Sequence, residues 1–95
     1  MTPHPPGSGP KKNKITVMAT SAEGDTADIE INIHQKLAHL LTEGLKALYG
    51  RPGPDPAEYD LVIAGSVANL DSTVDDADLA DGAEVAILPK DVSRG

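Results

Sequence analysis

The hydrophobic period of this chain changes twice, and that change limits the folds open to it. From Lys14 to Thr20, Ile15, Val17 and Ala19 alternate with Lys14, Thr16 and Thr20, the period of two of a half-buried strand. Residues 21–26 carry Gly24-Asp25 and read as a turn. Alternation resumes with Ala27, Ile29, Ile31 and Ile33 against Asp28, Glu30 and Asn32, so the two runs predict a β-hairpin. Then Leu37, Leu40, Leu41, Leu45 and Leu48 fall at helical spacing and form one apolar stripe. The spacing predicts a helix from about Gln35 to Tyr49, stopped by Gly50 and by Pro52, Pro54 and Pro56. Gly44 lies on the stripe, where glycine costs about 1 kcal/mol against alanine. A close approach of the helix to a sheet would account for it.

Strand patterns return after the prolines. Residues 59–64 (YDLVIA) are a short, almost continuous apolar run ending at Gly65, which reads as a more central strand. A weak extended piece follows at residues 67–70. Residues 73–79 read as a short turn anchored by Val74 and Leu79, Asp81-Gly82 as a further turn, and residues 83–88 (AEVAIL) as the last strand. A helix with a single apolar stripe, flanked by strand pairs, can cover one face of a mixed sheet. The fold class is therefore α+β, with a four- to five-stranded sheet packed on one main helix.

The 95 residues make one small domain. Residues 1–13 hold four of the eight prolines, two glycines and almost nothing apolar, too little to offset the entropy of ordering them. They read as a disordered leader, residues 14–89 as the domain and residues 90–95 as a flexible polar tail. With two tyrosines and no Phe or Trp, the core must be aliphatic. A net charge of −7 disfavours phosphate backbones and hence nucleic acid. Cysteine is absent, which removes disulfides, thiolate metal sites and cysteine nucleophiles together. No apolar run approaches the roughly 18 residues of a membrane span, and no signal-peptide core precedes the domain. The expectation is a cytoplasmic protein without membrane contact.

In this order and at these lengths, the elements resemble ubiquitin and its relatives, the β-grasp family. Residues 61–65 (LVIAG) resemble the family's central strand and following turn. Residues 72–88 (STVDDADLADGAEVAIL) resemble the segment in which a short turn, a leucine and an Asp-Gly lead into the last strand. The ending Arg94-Gly95 is similar to ubiquitin's Arg-Gly-Gly, although it carries one glycine, and residues 31–41 (INIHQKLAHLL) resemble small bacterial ubiquitin-like proteins of ubiquitination-like operons. Val62 and Leu88 align with two members of ubiquitin's exposed apolar patch.

The resemblance implies a protein modifier with no enzymatic activity and no cofactor of its own. Gly95 would be the conjugated residue, Arg94 and Ser93 would dock the activating enzyme, and Val62 and Leu88 would form the partner-binding surface. Its partners would be an ATP-dependent adenylating enzyme, a carrier enzyme, a deconjugating protease and target proteins whose amines are modified. Glycine suits the role because it has no Cβ to block a narrow channel or shield the carbonyl from attack. Two other classes stand beside this one: a non-conjugated β-grasp binding module, and a thiocarboxylate sulfur carrier, whose known members usually end in two glycines.

The remaining polar residues offer little further chemistry. Asp71, Asp75, Asp76, Asp78 and Asp81 lie close together, and calcium favours carboxylates on loops. However, Ala80 stands at a ligand position of the EF-hand pattern and no Glu closes the loop. Caps and turns are the better use for these aspartates. His34 and His39 are five residues apart, not the four of a paired helical metal site. His34 suits local hydrogen bonding or capping at the strand-to-helix junction, and His39 the surface. Residues 50–53 (GRPG) do not lead into a helix through Lys-Ser or Lys-Thr, so they form no phosphate loop. No Ser/His/Asp set stands out, and no metal is expected.

Overall fold

A computed structural model describes residues 13–50 and 53–93. Its first two strands, β1 (Lys14–Ser21) and β2 (Thr26–Asn32), pair antiparallel, with Ile15 opposite Ile31, Val17 opposite Ile29 and Ala19 opposite Ala27. The hairpin closes on Ser21, which is buried. Its hydroxyl accepts the N–H groups of Glu23 and Asp25 at 3.2 and 3.1 Å. The carbonyl of Asn13 accepts the N–H of Ile33 at 2.7 Å, which attaches Asn13 to the domain rather than to the leader. The rest of that leader lies outside the described residues.

The helix α1 (Leu37–Tyr49) begins two residues later than its apolar stripe suggests. The reason is a docked strand-like segment. The N–H groups of Leu37 and Ala38 donate to the carbonyls of Ser72 and Leu70, and Lys36 bridges to Thr73. In return, Val74 and Asp75 donate their N–H groups to the carbonyls of Gln35 and Ile33. A helix start needs partners for its free N–H groups, and residues 70–75 share that task here. Lys36 occupies the cap position without a side-chain bond, so of the two roles expected for His34, capping is not the one it takes. Its backbone N–H donates to the Asn32 side chain, and both His34 and His39 are exposed.

After one 3-10 turn at Pro56–Glu58, capped by the Asp55 carboxylate, come β3 (Tyr59–Ile63), β4 (Ser66–Val67) and β5 (Glu84–Pro89). The fold is α+β, a mixed five-stranded sheet in the order β2-β1-β5-β3-β4 packed against one main helix, and it is compatible with a β-grasp-like arrangement. β5 runs parallel to β1 and antiparallel to β3. It is the middle strand, and β3, which the apolar run at 59–64 marks as a more central strand, lies inside the sheet between it and the two-residue β4.

One face of the sheet carries Ile15, Val17, Ile29, Ile31, Leu61, Val85 and Ile87, and Leu37, Leu40, Leu41 and Leu45 of α1 cover it. Val74 seals the core beneath the helix start and is fully buried. Gly44 faces the sheet as its position in the stripe required. A Cβ there would overlap the Cδ1 of Ile87 and come within 3.4 Å of the Cδ1 of Ile29. At the far end of α1, the Tyr49 hydroxyl donates to Glu23 at 3.0 Å and ties the helix to the hairpin turn. The pKa of its phenol is pushed up to about 12, first by loss of water and then by the Glu23 carboxylate, whose own pKa the same bond lowers. Since Tyr49 is 37% exposed, water still reaches it, and the hydrogen bond is the firmer of the two causes.

The loop between β3 and β4 has two residues, Ala64 and Gly65, with φ of 53° and 84°. Two-residue hairpins of this kind need positive φ at both positions, which favours Asn or Gly and strains alanine. Ala64→Asn should therefore raise stability by about 0.5–1 kcal/mol, read as an increase of a few degrees in the thermal midpoint, and Ala64→Val should lower it. A lower midpoint for the Asn variant would show that Ala64 is held there by something other than the turn.

Candidate functional site

The residues singled out from the sequence divide between the sheet's uncovered face and the segment that follows β5. Pairing across the sheet places Thr20 beside Ala86, Ala86 beside Val62, and Val62 beside Val67, all on the side away from α1. Leu88 pairs with Asp60 one step along the same face. Val62 and Leu88 are thus diagonal neighbours, a spacing at which long apolar side chains touch one surface together. Both are half-buried, Val67 is exposed, and Thr20, Val62, Ala86 and Glu84 border a shallow groove. The structure therefore brings Val62 and Leu88 into one patch.

The C-terminal segment, which the sequence presents as a flexible polar tail, begins with an ordered turn. Pro89 pairs with Tyr59 as the last residue of β5, and the ladder ends there. Lys90–Ser93 then makes one helical turn, α2, which lies against β3 and β5. The Ser93 hydroxyl donates to the Asp60 carboxylate at 2.5 Å. Val92 on this turn is 58% exposed. Arg94 and Gly95 lie outside the described residues.

Asp60 was passed over in the sequence because it stands inside an apolar run. It is 2% exposed. A carboxylate that far from water needs hydrogen-bond partners. The signal was present: an aspartate between Tyr59 and Leu61 in a strand is out of place unless something meets it.

Among the aspartates near residues 71–81, Asp81 has a structural task for its carboxylate, and Asp71, Asp76 and Asp78 take part through their backbone. Asp81 accepts the Thr16 N–H at 2.8 Å and so links the last turn to β1. The Asp76 N–H donates to the Thr73 hydroxyl, the Asp71 N–H to the Asn69 side chain, and Asp78 takes a positive φ of 61° at the end of its turn. Among the described residues, no group of three or more His, Cys, Asp or Glu side chains is arranged to hold a metal ion, and no helix is long and apolar enough to cross a membrane. Compared with models of known protein families and with curated proteins, the chain matches none.

If these aspartates serve the turns, millimolar calcium should leave the melting temperature of the wild type and of the Asp76→Asn/Asp78→Asn variant unchanged. A calcium-dependent rise in the wild type that the variant lacks would reveal a binding site, since a ligand held only by the folded state stabilises it.

Proposed function

We propose that this protein is a ubiquitin-like modifier, of the kind found in small bacterial conjugation systems and working in the cytoplasm, where ATP is at hand. An adenylating enzyme activates Gly95 as the terminal residue: a carboxylate oxygen attacks the α-phosphorus of ATP and pyrophosphate leaves. A carrier enzyme's thiol then displaces AMP to form a thioester, and an amine on a target protein displaces the thiol. A protease reverses the linkage. The chain's own part is binding and presentation. The reading carries the β-grasp resemblance of the sequence forward.

The observation that supports it best is the relation between the middle strand and the patch. The tail departs from β5, which β1 holds at residues 84–87 and β3 holds through Leu88 and Pro89, so its root stays attached to the sheet. Val62 and Leu88 sit on the uncovered face beside that root. An enzyme docked on them would have the tail within reach, because six extended residues span roughly 20 Å. Arg94 would meet the activating enzyme on the way, whereas Ser93, the other residue the resemblance offers for docking, is engaged by Asp60 of the sheet.

A second reading, a binding module that is never conjugated, draws on the α2 turn, which holds the segment against the sheet rather than free of it. A nucleotide-dependent charging assay with an adenylating enzyme separates the two. The wild type should be charged, Gly95→Ala impaired and the Gly95 deletion inert, with all three equally folded. Equal charging of all three, or binding by the enzyme without charging, would contradict the modifier reading. In that event Val62→Asp should abolish partner binding, as the second reading requires.

A further inference from the structure

We propose that the turn Lys90–Ser93 is a latch that withholds the C-terminus and opens when an activating enzyme engages the tail; this rests on the modifier reading above. Four residues cannot sustain a helix alone, because nucleation costs more than so few hydrogen bonds return. The turn must therefore be held by what it touches. It lies against β3 and β5, and the Ser93 hydroxyl bonds it to Asp60 of the sheet. The same serine also approaches the Lys90 carbonyl at 3.5 Å, closing the turn on itself.

The consequence for reach is geometric. A residue advances about 1.5 Å in a helix against about 3.3 Å when extended. Four helical residues thus shorten the tail by roughly 7 Å. A closed latch leaves Gly95 short of a deep channel, and an open one delivers it.

The placement of Asp60 fits a device that opens and closes. A fully apolar strand residue at this position would bury well without help. A carboxylate there needs hydrogen bonds to make up for lost water. Ser93 supplies one of them, and a hydroxyl–carboxylate bond is readily exchanged for bonds to water or to an enzyme's donors. Unlike an apolar contact, it also depends on a single oxygen atom, so one substitution tests it.

The test combines a direct view of the tail with its chemistry. The 15N heteronuclear NOE of Val92 and residue 93 is measured in the full chain for the wild type, Ser93→Ala and Ser93→Thr, and charging rates are measured for the same proteins at limiting adenylating enzyme. The wild type should show values close to those of β5. Ser93→Ala should fall to the values of a free chain end and be charged about tenfold faster, the factor expected from losing one hydrogen bond to a charged group. Ser93→Thr, which keeps the hydroxyl, should resemble the wild type in both respects. A wild-type tail already as mobile as a free end overturns the latch, as does an alanine variant that stays ordered. An alanine variant that is released but charged no faster overturns it too. If the enzyme charges no variant, the modifier reading falls and takes the latch's regulatory role with it. The NOE comparison still decides whether Ser93 holds the turn.

Discussion

Gly44 meets Ile87 across the interface between the helix and the middle strand, and much of the structure depends on how closely they approach. The core contains no aromatic ring to fill a wide gap; it consists of Leu, Ile, Val and Ala side chains. Aliphatic side chains reach only a short way, so α1 must come down onto the sheet for the two layers to interlock. A Cβ at position 44 would overlap the Cδ1 at the tip of Ile87, which would have to turn aside, and would touch the Cδ1 of Ile29. Glycine in the middle of a helix is unfavourable by about 1 kcal/mol. The packing that it permits along Leu37, Leu40, Leu41 and Leu45 offsets that loss, because fully burying each such side chain contributes about 1.5–3 kcal/mol.

The same approach constrains both ends of the molecule. With the helix laid across the sheet, mostly over β2, its N-terminus faces the segment at 70–75, which satisfies its N–H groups by backbone bonds in place of a capping side chain. Val74 is drawn beneath it. β5 is held by β1 over residues 84–87 and by β3 as far as Pro89, where Lys90–Ser93 begins. The surface patch of Val62 and Leu88 faces away from the helix, so a partner can use it without disturbing the core. In the functional account, rigidity belongs to the strand and movement to the turn beyond it.

Local periodicity made the hairpin, the helix and the last strand legible, since Ile15 to Ile31 alternate and Leu37 to Leu45 keep helical spacing over long stretches. It also made Gly44 legible as a close contact, because a glycine on an apolar stripe weakens the helix unless the facing layer leaves no room for a side chain. What remained hidden was set by contacts between distant residues. The helix starts at Leu37 because Ser72 and Leu70 wait for its N–H groups, and nothing near Gln35 announces that. The rank of β5 as the middle strand arises from its parallel pairing with β1, 66 residues away along the chain at Met18 and Glu84. The bond from Ser93 to Asp60 joins a polar tail to a residue hidden among apolar neighbours. Of the candidate site, the pairing of Val62 with Leu88 on one face could be read in the sequence, and the turn lying beside it could not.

The close approach at Gly44 is most directly tested by a double-mutant cycle with Ile87, measured by denaturant unfolding. Helix propensity alone predicts that Gly44→Ala stabilises the protein by about 1 kcal/mol. The contact predicts the opposite sign, a loss of about 1–3 kcal/mol from overpacking. In the Ile87→Val background, where the Cδ1 methyl that the new side chain would strike is gone, Gly44→Ala should cost distinctly less. A stabilising Gly44→Ala, or the same cost in both backgrounds, would contradict a structure built on that contact.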